Sequence, residues 1–298
     1  MSERTYRLER DEPIPEGIAR VAYGRIDNAL DELDGQTDSS AEKAVHNARK
    51  DMKKLRALLR LVRGETGDQT YRHESATFRD AGRELSGVRD ADVMIATLGS
   101  LELAPEEDGP LRQALEAHKI RTAAGGREQA AITAVGIIGS ARGRVAGWPL
   151  ERNGFGAFAE GLRRIYRQGR RNMHAARKEP TAENLHEWRK RTKDLWYHLA
   201  LLEAAWPPVM HTLADEAHQL SDRLGDDHDL AVLLEWASEH ADSSAIEHGV
   251  TERRLRLQAE AFAYGARLYA DQPSVFVGRV ESWWETSARA ASAEAAHH

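Results

Sequence analysis

Val45-His46-Asn47-Ala48-Arg49-Lys50-Asp51-Met52-Lys53-Lys54-Leu55-Arg56-Ala57-Leu58-Leu59-Arg60-Leu61-Val62-Arg63 carries two periodic patterns at once. At about 100° per residue it resolves into two faces of one helix. Val45, Ala48, Met52, Leu55, Leu59 and Val62 form a heptad-like apolar seam. His46, Arg49, Lys50, Lys53, Arg56 and Arg60 form a neighbouring cationic stripe. From Lys43 to Arg63 eight Lys/Arg stand against one Asp, a local charge of +7 in a chain whose net charge is −6.

The pattern returns in Leu185-His186-Glu187-Trp188-Arg189-Lys190-Arg191-Thr192-Lys193-Asp194-Leu195. His-x-x-Arg-Lys-x-x-Lys recurs without a gap as His46, Arg49, Lys50, Lys53 and as His186, Arg189, Lys190, Lys193. Positions i, i+3, i+4 and i+7 share one helix face, and Arg191 falls outside it. The seam recurs as Leu185, Trp188, Leu195, Leu199 and Leu202. Leu85-Ser86-Gly87-Val88-Arg89-Asp90 is answered by Leu224-Gly225-Asp226-Asp227-His228-Asp229. Gly143 to Trp148 is answered by Gly278 to Trp283, so the chain reads as two copies of one unit.

Leu and Ala at helical spacing, with no alternating β-branched runs, predict an all-α protein. Helices are expected over 15–33, 68–101 and 107–141 around the organising helix, which a Ser39/Glu42 capping box would open. Ile18, Val21, Ala22, Ile26, Leu30 and Leu33 face inward on the first, and Ala130 to Ala141 reads as a buried helix. Pro149 to Gly156 marks the boundary between halves at 15–148 and 155–290. The second half predicts helices over 158–177, then from Pro180-Thr181 to a stop at Pro207-Pro208, then a third that carries Leu224 to Asp229, then over 250–270 and 275–290. On 158–177, Arg163, Arg167, Arg170, His174 and Arg177 form one face.

Among 298 residues there is no Cys, which excludes disulfides, cysteine-ligated zinc and cysteine nucleophiles. Met1 to Pro15 has no apolar leader pattern, and no run nears the roughly 18–20 apolar residues needed to span a bilayer. The expectation is a cytoplasmic protein without membrane contact.

Like charges at i,i+4 cost a few tenths of a kcal/mol each, so two such stripes imply an anion that relieves them. A helix of about 18–24 residues is roughly 27–36 Å long, which suits a chain of phosphates better than one small metabolite. Arg offers bidentate contacts to phosphate, Lys a point charge, and His a donor. Tyr197 is the only clear aromatic on these faces. No stacking platform or helix-turn-helix is evident, so a base-free polyanion is favoured over nucleic acid.

The doubled His-x-x-Arg-Lys-x-x-Lys, with Leu85 to Asp90 and Leu224 to Asp229, resembles the conserved histidine α-helical domain, the CHAD family, from about Pro15 to Ala290. The resemblance implies two four-helix bundles related by a pseudo-twofold axis, with basic faces lining a central surface that binds inorganic polyphosphate. Association with polyphosphate granules and their proteins follows for some members. By position, His46, Arg49, Lys50, Lys53, His186, Arg189, Lys190 and Lys193 match the family's binding residues. Arg20, Arg163, Arg167, Arg170, Arg121 and Arg256 are further transfers. Opposite the Arg163 face the first helix offers Arg20, then Gly24, Asp27 and Asp31, which predicts a lopsided surface.

Some relatives carry a triphosphate-tunnel domain. No strand-rich segment here would build one, so binding without chemistry, cofactor or metal is expected. Crowded cations are expected to depress the pKa of His46 and His186, and bound phosphate to raise it. Three rival readings remain. Glu183-x-x-His186 and Asp215-x-x-His218 are similar to di-iron ligand pairs. His228-Asp229 is similar to the dyad of metal-dependent phosphohydrolases, although Asp90 and Asp229 are better read as helix caps or partners of an Arg. Nucleic-acid backbone phosphates would also satisfy the basic faces.

Overall fold

The structure, a computed structural model, describes residues 5–85, 90–101, 103, 105–123 and 127–295. Those residues hold no strand, and the all-α expectation stands. The first half carries α1 (Ile14–Leu33), α2 (Ala41–Leu61), α3 (Arg63–Glu84), α4 (Asp90–Gly99), α5 (Pro105–Ala123) and α6 (Arg127–Arg142). The second carries α7 (Gly156–Lys178), α8 (Ala182–Leu201), α9 (Pro207–His240), α10 (Ser244–Leu268) and α11 (Pro273–Ala295).

The organising helix is α2, and its apolar seam is buried as its period requires. Ala48, Met52, Leu55, Leu59 and Val62 have lost essentially all exposure, as have Leu185, Trp188, Leu195, Leu199 and Leu202 of the second copy. Each large apolar side chain so buried stabilises the fold by about 1.5–3 kcal/mol relative to exposure. Thr181 caps α8 by accepting from the Asn184 N–H at 3.2 Å. Ser40, not Ser39, caps α2, accepting from the Lys43 N–H at 3.3 Å. The predicted capping box therefore does not form, because Lys43 occupies the position the box reserves for Glu or Gln.

Other boundaries differ too. The helix expected over 68–101 is two, α3 and α4, and Ser86 to Arg89 of the first Leu85–Asp90 motif lies outside the described residues. Of the helix expected over 107–141, the described residues hold α5 and α6, and residues 124–126 lie outside them. α8 stops at Leu201, and Pro207 opens α9, where a missing N–H costs nothing. α6 is less buried than its composition suggests: Ala134, Ile138 and Ala141 point inward, and Ile132 is 58% exposed.

The described residues form two apolar cores, and neither is confined to one half. The larger joins Ile18 and Ile26 of α1, Leu55 of α2 and Phe78 of α3 to Phe158 and Ile165 of α7 and Trp188 of α8. The smaller joins Leu98 of α4 and Leu115 of α5 to Leu233 of α9 and Val250 of α10. α9 and α10 are common to both: Leu220 and Leu224 of α9 and Ala261 and Leu268 of α10 belong to the larger core, Leu230 and Leu233 of α9 and Ile246 and Val250 of α10 to the smaller.

α2 and α8 are joined near their C-terminal ends. Buried His198 donates from Nε2 to the Ala57 carbonyl at 2.8 Å, and Arg60 reaches Asp194 at 3.3 Å. Asp51, on the buried side of α2, is held by Arg25 at 3.1 Å and Asn28 at 2.5 Å from α1. α7 crosses the end of α2 so closely that a Cβ on Gly161 would lie 1.9 Å from the Leu61 carbonyl oxygen. Because that neighbour is backbone, Gly161→Ala should destabilise the protein by about 1–3 kcal/mol, measurable as a lowered urea midpoint.

Burial pushes the His198 imidazole down to about 4 from an ordinary 6.5. The folded state therefore refuses a proton that the unfolded chain accepts. Stability present above pH 6.5 should fall by up to roughly 3 kcal/mol as pH drops toward 4. His198→Gln, which keeps a donor for the Ala57 carbonyl, should lose that part of the pH dependence in urea unfolding at pH 7 and 4.5. An unchanged slope would exclude His198 as its source.

Candidate functional site

Toward their N-terminal ends α2 and α8 face one another across a cavity of about 550 Å³. α2 contributes His46, Arg49, Lys50 and Lys53, and α8 contributes His186, Arg189 and Lys193. Seven of the eight repeated-motif residues thus converge, although the two copies lie 140 positions apart. The eighth, Lys190, is exposed on α8 and pairs with Glu187 one turn earlier. The convergence follows from the seams: each stripe flanks a seam buried in the larger core, and that core holds the two helices together.

Two positions show how the walls orient the cations. Arg49 donates to the Leu85 carbonyl at 3.3 Å, at the C-terminus of α3, where the helix dipole favours a positive charge. Arg189 lies against the backbone of α9 at Gly225, where an added Cβ would come within 3.0 Å of its Nη2. Among the described residues, neither the buried Arg189 Nε nor the buried His186 Nδ1 has a hydrogen-bond partner.

α4 and α9 close the cavity. Val93 and Met94 form one wall, and α9 sends in His218, Asp222, His228, Asp229 and Val232. The α9 residues carry no copy of the basic motif, yet 218, 222, 225, 228/229 and 232 fall at the 3.6-residue period of one helix face. His228 brings its ring to 4.5 Å from that of His186, centroid to centroid. The His186 imidazole is pushed down to about 4, first by burial, then by His228, Lys190 and Arg189. Crowded cations, the expected cause, come after burial.

Trp196 and Tyr197 also line the cavity, next to the joint between α2 and α8. Trp196 stacks on His218 at 3.8 Å and 19°, and the Lys193 ammonium lies 5.7 Å from its ring. His218 in turn pairs with Asp222 at 3.5 Å. Tyr197 is therefore not the only aromatic on these faces. The stripes diverge here, because position 56 is Arg where 196 is Trp.

The remaining candidates lie elsewhere. Arg56 is half-buried on α2 with its guanidinium pushed down to about 10 by burial, and Arg60 is bonded to Asp194. Arg20 is held by Glu12 and the Arg7 carbonyl, the latter at 2.9 Å. Arg163 and Arg167 are exposed on α7, and Arg170 donates to Gln272 at 2.7 Å. Arg121 is exposed on α5 and Arg256 on α10. None of these lines the cavity, nor does the expected α1 face, whose Asp27 pairs with Arg142 at 2.6 Å. Asp229 lies inside α9, away from either end of the helix, so it is not placed as a cap. Asp215 pairs with His211 at 3.3 Å instead of acting with His218, and no three His, Asp or Glu among the described residues are grouped to hold a metal.

The architecture is similar to the crystal structure of the CHAD domain from the plant Ricinus communis, with a TM-score of 0.59 and 17% identity over 94% of each chain. At that identity the likeness speaks to the fold alone. No curated protein matches the chain. The CHAD domain description matches residues 23–238, from α1 almost to the end of α9, and the chain belongs to that family.

Proposed function

We propose that this protein binds long-chain inorganic polyphosphate in the cavity between α2 and α8, without chemistry and without a cofactor. The observation that carries the reading is the convergence of both His-x-x-Arg-Lys-x-x-Lys stripes on one cavity. Five Lys/Arg there face two Asp. Such a surplus is self-repulsive until an anion neutralises it, and closely spaced phosphates do so with the fewest ligand atoms. Arg20, Arg121, Arg163, Arg167, Arg170 and Arg256 stand outside the proposed site. A role at polyphosphate granules in the cytoplasm, with granule proteins as further partners, would follow from such binding.

Each phosphate neutralised releases counterions, so affinity should fall steeply with salt, and removing one cavity cation should lower the log–log slope by about 1. Arg49→Ala, Lys50→Ala, Arg189→Ala and Lys193→Ala together should abolish most binding at about 150 mM salt, with the helical circular dichroism unchanged. Parental affinity in that variant would place the site elsewhere. In the same titration, single-stranded DNA binding as tightly as polyphosphate would favour the nucleic-acid reading. Release of orthophosphate on adding a divalent metal would favour the hydrolase.

His186 supplies an independent check. Being neutral above about pH 4 in the free protein, it should gain a proton when phosphate approaches and raises its pKa. Affinity should then rise as pH falls through the bound-state pKa and level off below about 4. NMR titration of the ring with and without polyphosphate measures both values. Identical curves would remove His186 from the site.

A further inference from the structure

The cavity is not uniform along its length, and a bare phosphate chain accounts for only part of it. α8 and α9 face each other across it in opposite directions: His186 lies beside His228, Arg189 beside Gly225, and Trp196 beside His218. From His186 to Trp196 is ten residues of helix, roughly 15 Å at 1.5 Å per residue. One end holds the imidazole pair and Arg189, with His46, Arg49 and Lys50 on the facing helix. The other holds Trp196, Tyr197, His218 and Asp222.

The aromatic end has features that phosphate does not use. The Tyr197 hydroxyl lies on a side chain only 2% exposed and has no hydrogen-bond partner among the described residues, an arrangement that costs about 1–3 kcal/mol unless a ligand completes it. Trp196 stacks with both His218, at 3.8 Å, and Tyr197, at 4.7 Å, so the aromatic surface left for a ligand is that of His218, whose side chain remains 42% exposed. Asp222 and Asp229 oppose a polyanion, but a carboxylate accepts from hydroxyl and amino donors. An aromatic face, a buried hydroxyl and carboxylate acceptors together fit a nucleoside. The Arg189 and His186/His228 end, one extended triphosphate away, fits its phosphates.

We propose that the cavity also takes a nucleoside polyphosphate, with the base against the Trp196–His218 wall, the ribose hydroxyls toward Asp222, and the phosphates on Arg189 and His186. The proposal rests on the cavity being a phosphate site, but it requires a preference that polyphosphate binding does not.

Calorimetry of the full chain with ATP, inorganic tripolyphosphate and long-chain polyphosphate, at about 150 mM salt without added metal, separates the two readings. ATP should bind about tenfold tighter than tripolyphosphate, since base–aromatic stacking is sequence-tolerant and strong enough for that ratio. Trp196→Leu should bring the ratio to about one. If that variant does not fold, His218→Ala and Tyr197→Phe should each lower the ratio. Tripolyphosphate binding as tightly as ATP to the parent would overturn the nucleoside site and leave the polyphosphate reading standing. A ratio unchanged in all three variants would also overturn it. ATP binding with no affinity for long-chain polyphosphate would do the reverse.

Discussion

Mutual repulsion between two cationic helix stripes held across one cavity is the constraint that the rest of the molecule accommodates. Two unit charges about 4 Å apart repel by roughly 1 kcal/mol in water and about 4 kcal/mol near a protein surface. The apolar seams of α2 and α8 overcome this by burying large side chains in a common core. Carboxylates on the buried sides add to the compensation. Asp51 of α2 is held by Arg25 and Asn28 of α1, and Asp194 of α8 lies between Arg60 and Arg191. Burial raises the Asp51 carboxyl and pushes the Lys54 ammonium down to about 8, so this backing itself works against desolvation.

α9 gives the cavity its second character. It leaves the larger core at Leu224 and enters the smaller at Leu230, and the turn between carries Gly225, His228 and Asp229. Glycine there lets the Arg189 guanidinium lie against the helix backbone, and the adjoining face supplies imidazoles and carboxylates. The site is therefore a cationic cleft with a polar, partly aromatic wall. Such a wall lets a binding protein distinguish among phosphate ligands by what they carry besides charge. Charge alone draws any polyanion; specificity needs groups that reward one and penalise another.

Membership of the CHAD domain family rests on a match over residues 23–238, and the similar fold of the Ricinus communis domain persists at 17% identity. Low identity with a retained fold is expected where helix packing depends on the period and size of apolar positions, which many sequences satisfy. The groups lining the cleft act through charge and donor geometry, which an apolar side chain of equal volume does not supply.

How much was legible followed from whether the signal was local. The all-α class, the α2 and α8 faces and seven of the cavity's cation and imidazole positions are periodic patterns within single helices, and periodicity survives folding unchanged. The Ser40 cap, the break between α3 and α4 and the continuity of α9 depend on terminal hydrogen bonds and neighbouring packing, which a pattern of apolar residues records only weakly. Arg20 and Arg170 look as cationic in the chain as Arg189 does. Glu12 and Gln272 engage them in the folded protein, and no sequence spacing announces those partners. By itself, then, the sequence determined which faces are apolar and which are charged, because side-chain direction along a helix is set by the backbone. Only the tertiary structure decided which charged faces meet, that His228, His218 and Asp222 join them, and which arginines are already occupied, because those outcomes depend on distances between segments far apart in the chain.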